Sequence, residues 1–380
     1  MRDFKLVIIL RALLFAYIIF YLASLSDPEI IAWTLTHWDA SYYLGIAQYW
    51  YPSFNHPNWA FLPLFPTMLR LVFLITNSLL IIEFFGLILN FIAFALSLYF
   101  LNQLMREIGP EKNDKNYSVF LVALFPTTTF CFFIYPEPWF LLFTILVFLF
   151  FVRKKYVKSS FFSFLASFTR LNGILLCPLY LYAQEFSLKK RISLCIFSVL
   201  PFLIFNVYGY FMTKLFPITE ISRETFWPDN HPRTLMERLK HFVYTFYFIF
   251  ILSIINAVLS EKLLVRLSYL YFPLFTLMVL YFAYKLSTLD SLKKLMTFSF
   301  EKEKNVITPF NVWLLYFSLL LYAFYGQPCS ILRYLMPNIL IILAYQGSFH
   351  SKWRSGIIIV EALFLIILTL SYLDGNIFIG

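Results

Sequence analysis

Charge is scarce in this chain. Asp, Glu, Lys and Arg make up 13% of its 380 residues, about half the share of a soluble domain. With 61% of residues hydrophobic, too little polar material is left to cover a water-exposed surface, which excludes a soluble globular class. Glycine is sparse, at 10 residues, and no Gly-rich loop occurs, so a cytosolic nucleotide-driven mechanism has no support. The four cysteines, Cys131, Cys177, Cys195 and Cys329, are far apart with no CxxC pair. Neither a disulfide framework nor a thiolate metal site is suggested by that spacing. No GxSxG element marks a hydrolase, and the alternating ten-residue segments of a membrane barrel are missing.

What is present is a series of apolar runs, each near the roughly 17–25 residues that cross a bilayer as a helix. The fold class expected is all-α and polytopic, with about 10–13 spans, built as a single membrane-embedded unit over residues 1–380. The net charge of +10 comes from 30 basic and 20 acidic residues. The basic residues cluster in short loops, where retention on the cytoplasmic side accounts for them, so no nucleic-acid partner is expected; membrane lipids are. The opening MRDFKLVIILRALLFAYIIFYLASLS has basic residues before an apolar run but no convincing small-x-small cleavage site. It reads as an uncleaved first span over about residues 5–25 with a cytoplasmic N-terminus.

Residues 26–66 then form the first extracytoplasmic loop. Its stretch THWDASYYLGIAQYWYPSFNHPNWAFLPLFP concentrates polar and aromatic groups around Asp39. If Asp39 begins a helix it takes a position that favours a carboxylate. Tyr43, Ile46 and Ala47 follow on the face below it, expected to lie on the membrane surface as an interfacial helix. The alternative is an Asp that only caps a turn.

Further spans are expected at 79–101 and 192–212. The run 119–152 is too long for one span and is broken by Pro126, Pro136 and Pro138, so two short helices should meet on the far side. They return the chain to Arg153-Lys154-Lys155, a cytoplasmic marker. The run 160–182 contains Arg170-Leu171-Asn172-Gly173; an arginine there faces a polar cavity or a partner, or snorkels to a span end. A bend at RLNG would leave Lys189-Lys190-Arg191 in the cytoplasm. A second long loop covers 213–241. Apolar runs follow at 242–259, 267–284, 308–325, 332–345 and 356–373, and strict alternation then puts the Lys-rich stretch 285–304 on the far side, against its charge.

The polar residues with chemical potential are few. His37 and His56 share a loop with Asp39 and could together hold a cation. But His37, His56, His231, His241 and His350 lack HxxxH or HExxH spacing, so no cofactor is expected and a divalent cation is possible but not favoured. Asp39 is the one acid of the first loop's centre. Arg170, Arg223 and Arg333 are arginines able to meet a lipid phosphate, which a guanidinium fork binds bidentately while staying charged. Glu137 in YPEP and Glu361 in the last span are further intramembrane acids, with Glu361 expected to pack against a neighbouring polar group.

The pattern Trp38-Asp39, Tyr43, Ile46-Ala47, then Ala60-Phe61-x-Pro63-Leu64-x-Pro66, resembles the opening signature of the PIG-V family of mannosyltransferases, GT-C-type membrane glycosyltransferases. FPTTTFCFFIYPEPWF, SFTRLNGILL and ILRYLMPNIL fit the same order, so the resemblance covers nearly the whole chain. Tyr42 stands where the family usually has His, His37 where Arg is common, and Trp50 where Gly precedes Tyr51. The resemblance implies transfer of a mannosyl or other hexosyl group from a polyprenyl-phosphate sugar to a hydroxyl of a glycan, lipid or protein acceptor, with inversion. It implies Asp39 as general base and Arg170 and Arg333 as stabilisers of the leaving phosphate. Trp38 and Tyr43 would hold Asp39 or stack on the sugar, and Arg223 with Trp227 would close the site from the second long loop. A transporter or flippase of a lipid-linked substrate is the other reading. It calls for interrupted helices in both halves of the chain, whereas the Pro-rich breaks lie in the first. Short loops point to a prokaryotic plasma membrane with the site on its extracytoplasmic face.

Overall fold

The computed structural model describes residues 2–25, 27–54, 56–108, 115–215, 303–325 and 351–373, with separate positions between 251 and 281 and between 333 and 341. Every regular element among the described residues is helical. α1 (Arg2–Ser24) and α2 (Pro28–Leu35) lead into α3 (Asp39–Tyr49), a short 3-10 turn at Pro57–Ala60 and α4 (Leu64–Thr76). α5 (Leu79–Ile108) continues past its expected end, and α6 (Lys115–Leu124) follows. The prolines then break the chain as expected: a 3-10 segment at Pro126–Cys131 and a loop precede α7 (Glu137–Val152). Pro138 stands within the first turn of α7, where its missing N–H is not needed. α8 (Tyr156–Thr169), a 3-10 segment at Leu171–Tyr182 and α9 (Leu188–Thr213) complete the first part. α10 (Glu303–Tyr325) and α11 (Ser351–Leu373) belong to the second.

Three described helices are long and apolar enough to cross a membrane: α5, α9 and the Gly356–Leu373 part of α11. Ile8–Ser24, Leu64–Thr76, Glu137–Val152 and Leu171–Tyr182 are apolar but shorter. The runs at 242–259 and 267–284 and the stretch 285–304 lie almost wholly outside the described residues, as does half of 332–345.

α7 is the centre. All of its side chains but Trp139, Phe150 and Val152 are buried, as befits a helix apolar on every side. α5 and α8 flank it, and α9 packs on the outside of α8. Its two ends differ in chemistry. At one end Arg153 pairs with Glu107 at 2.7 Å and Lys154 with Glu185 at 2.5 Å, gathering the basic turn with the ends of neighbouring segments. At the other end is Glu137. Sixteen helical residues separate these ends by about 24 Å.

Polar ties fix the segments around the Glu137 end. Asn90 of α5 donates through Nδ2 to the carbonyls of Phe133 and Tyr135, and its Oδ1 accepts from Trp139 Nε1 at 3.1 Å. Arg11 of α1, buried, donates to the Thr128 carbonyl at 3.0 Å between the rings of Phe94 and Phe132. Thr129 meets Thr369 of α11, oxygen to oxygen, at 2.5 Å.

Two sequence expectations change, for the face of α3 and for Glu361. The apolar face of α3 is covered by protein rather than lipid: Tyr43 packs edge-on against Phe61 and Phe65, and α4 closes over it. Glu361 is buried, yet neither carboxylate oxygen has a hydrogen-bond partner, so the expected polar neighbour is missing among the described residues. Cys177 and Cys195, distant in sequence, meet across the Leu171–Tyr182 segment and α9, where the Cys195 thiol donates to the Cys177 carbonyl at 3.0 Å.

Candidate active site

Asp39 is the first residue of α3, where the exposed N–H groups and the helix dipole favour a carboxylate. The residue before it carries the strain. Trp38 has φ 52° and ψ −124°, backbone that a bulky side chain adopts only when its surroundings hold it there. Those surroundings are visible. The Tyr135 hydroxyl donates to the His37 carbonyl at 3.0 Å, the Ser41 hydroxyl donates to the Trp38 carbonyl at 2.7 Å, and the Tyr372 ring of α11 meets His37 and Trp38 edge-on at 5.5 Å each. Tyr372 is in turn stacked on Phe133. Trp38 itself remains exposed. The opposite end of α3 is closed by Arg70 of α4, whose guanidinium donates to the carbonyls of Ala47 and Gln48 at 3.0 and 3.1 Å, a favourable place for a cation.

Arg333 comes from the far part of the chain and forms an ion pair with Asp39 through Nη2. Its Nε lies 3.2 Å from Glu137 Oε1, and Arg170 Nη1 lies 2.5 Å from the same oxygen. The four residues make an alternating chain: Asp39, Arg333, Glu137, Arg170. The side chains of Arg333 and Glu137 are 2% and 1% exposed, that of Arg170 10%, and that of Asp39 20%. Asp39 is therefore the open end of a buried charge row. The Arg333 guanidinium also faces the Tyr135 ring at 4.9 Å and the Phe130 ring at 5.3 Å, contacts that stabilise a cation removed from water. Each buried charge has an opposite one beside it, without which burial would be prohibitive.

Each charge is delivered by its own local device. Glu137 opens α7 immediately after the proline break. Arg170 ends α8 in extended backbone, and Gly173 turns the chain there, its N–H donating to the Arg170 carbonyl at 2.9 Å. A Cβ on Gly173 would stand 2.4 Å from the backbone of Ala166, so the turn admits only glycine. The Arg333 segment is tied to α10 by Asn338 and Asn311, each donating its side-chain amide to the other residue at 3.0 and 2.9 Å.

Of the residues singled out in the sequence, Asp39, Trp38, Tyr43, Arg170 and Arg333 are brought together. Tyr43 is one turn below Asp39, within the field of all four charges, and burial pushes its phenol well above the ordinary range, leaving it a neutral hydroxyl. Burial lowers His37 from its usual value, so its imidazole is neutral near pH 7. Arg223 and Trp227 lie outside the described residues. Sequence reading gave no site role to Glu137, Tyr135 or Tyr372. An acid in an apolar, proline-broken stretch demands a partner, and that signal pointed to Glu137. Among the described residues no three His, Cys, Asp or Glu side chains are grouped to hold a metal ion.

The arrangement offers a partly exposed carboxylate paired with Arg333, with Arg170 further along the row beyond Glu137, able to accept a proton on one side and offset negative charge on the other. No curated protein matches the chain. The family model described as mannosyltransferase (PIG-V) matches residues 22–227, a span holding Asp39, Glu137 and Arg170. That is more than half of the chain's length, and this membrane protein therefore belongs to the PIG-V mannosyltransferase family of glycosyltransferases.

Proposed function

We propose that the protein transfers a mannosyl group from a polyprenyl-phosphate donor to an acceptor hydroxyl at the extracytoplasmic membrane face, with Asp39 as general base. The acceptor oxygen attacks the anomeric carbon while its proton passes to the Asp39 carboxylate. The bond from that carbon to the phosphate oxygen breaks, the electron pair leaves with the polyprenyl phosphate, and the configuration inverts. Negative charge grows on the leaving phosphate, and Arg333 and Arg170 offset it. Trp38, exposed beside Asp39, supplies an aromatic face for the sugar.

The observation that carries this reading is the exposure gradient: the Asp39 side chain is 20% exposed, while Arg333 beside it and Arg170 beyond are 2% and 10% exposed and converge on Glu137 Oε1. The placement on the extracytoplasmic face is supported by α7, whose Arg153-Lys154-Lys155 end is opposite the Asp39 cluster. Basic turns of this kind stay in the cytoplasm. About 10–13 spans over the whole chain fit the same orientation.

The test is transfer by purified protein from polyprenyl-phosphate mannose to glycan, lipid and peptide acceptors. Asp39→Asn keeps the shape of the side chain and removes its basicity. It should lower turnover by about 10²–10⁴-fold with the protein still folded in the membrane. Wild-type turnover in that variant rejects Asp39 as the base.

A further inference from the structure

We infer that Glu137 is a positioning residue for this transfer: one buried carboxylate oxygen holds Arg170 and Arg333 together, with Arg333 reaching on to Asp39. The inference rests on the proposed use of a lipid-phosphate donor. Glu137 Oε1 is 2.5 Å from Arg170 Nη1 and 3.2 Å from Arg333 Nε, so two like charges converge on a single atom. Without the carboxylate they repel. Glu137 is 1% exposed, less than Arg333 at 2% and Arg170 at 10%, so it acts through them and does not touch substrate.

The residues around Glu137 make it rigid. Asn90 fixes the carbonyls of Phe133 and Tyr135 just before it, and proline stands on either side, at 136 and 138. Two residues earlier, Tyr135 lays its ring against the Arg333 guanidinium and binds the His37 carbonyl with its hydroxyl. The tripeptide Tyr135-Pro136-Glu137 therefore supports Arg333 on its face and on its edge, and also holds the turn that carries Asp39. A side chain that is locked in this way fixes the groups it holds to within the tolerance that catalysis needs.

Charge and position predict opposite results when Glu137 is neutralised. Removal of an acid beside an anion site tightens anion binding by charge alone. Loss of positioning weakens it. The probe is polyprenyl monophosphate, the leaving group of the proposed reaction, titrated against full-length protein in detergent. Glu137→Gln should bind it at least about tenfold more weakly than wild type, the scale of a lost supporting partner. In the transfer assay kcat should fall by about 10²-fold, as for a misplaced reacting group, with donor KM changed only a few-fold. Binding as tight as wild type or tighter, or a loss confined to KM, overturns the inference. If Glu137→Gln does not fold, Glu137→Asp decides by the same criteria, since it keeps the charge but is too short to reach both arginines. A wild type that binds the monophosphate and transfers nothing removes the donor reading while leaving the positioning of Glu137 testable by binding. A wild type that does neither removes both.

Discussion

Arg333 meets Asp39 through Nη2 and Glu137 through Nε, with its plane against the rings of Tyr135 and Phe130. These are contacts of different nitrogens and of a flat face, and a lysine has one nitrogen and no plane. Arg333→Lys should therefore keep the charge and still lose turnover by about 10²-fold, the loss expected for a removed transition-state donor. Arg333→Ala goes further. It takes from Asp39 its ion pair with Arg333 and leaves Glu137 with Arg170, and removal of one partner from a buried pair costs about 3–5 kcal/mol. Unfolding of the two variants in detergent, read beside their turnover, separates the effects. Equal turnover in Arg333→Lys and wild type would reduce the guanidinium to a point charge. Arg170 and Arg333 were legible as arginines in apolar runs, because such residues require a reason to be there. Arg11, inside the expected first span over about residues 5–25, was given no role, although it too is an arginine in an apolar run and is buried against Phe94 and Phe132.

At the scale of the element, the bend between α8 and the Leu171–Tyr182 segment delivers Arg170 to Glu137. It depends on backbone coming within 2.4 Å of where a Cβ at position 173 would be. Gly173→Ala must push the two segments apart, since the obstructing atoms are main chain and cannot swing away. The expected result is a lower unfolding temperature together with a loss of transfer, as Arg170 moves off Glu137. Gly45→Ala in α3 is the matching control. A Cβ there meets nothing within 4 Å, and alanine favours a helix over glycine by up to about 1 kcal/mol, so stability should hold or rise. A Gly173→Ala protein with wild-type stability and turnover would show that the bend does not set the site. The bend itself was legible from RLNG, as were the breaks at Pro126, Pro136 and Pro138, because proline and glycine act locally. The cover over α3 was not. A helix face with Tyr43, Ile46 and Ala47 is equally suited to lipid or to protein, and only the fold places α4 and Phe61 upon it.

Across the whole molecule, the site joins positions that no local rule connects. Asp39 and Arg333 are 294 residues apart, and the family match ends at residue 227, well short of Arg333. The sequence supplied each charge, but the pairing of Asp39 with Arg333 comes from long-range packing, which periodicity and spacing do not encode. α11 does part of that work. Its Tyr372 holds the Trp38 turn, and its Thr369 meets Thr129 at 2.5 Å across 240 residues. This last contact gives a direct test of the assembly. The two side-chain oxygens are nearly as close as the roughly 2.0 Å sulfurs of a disulfide, so Thr129→Cys with Thr369→Cys should cross-link under mild oxidation. Mass spectrometry of the digested protein would find the 129 and 369 peptides joined. Neither threonine belongs to the charge row, and the link only fastens segments already in contact, so the oxidised protein should keep its transfer activity. Pairing with Cys131 in place of the partner, or no link at all, would mean that α11 is not seated on the Pro126–Cys131 segment. The support of Trp38 by Tyr372 would then have to be abandoned with it.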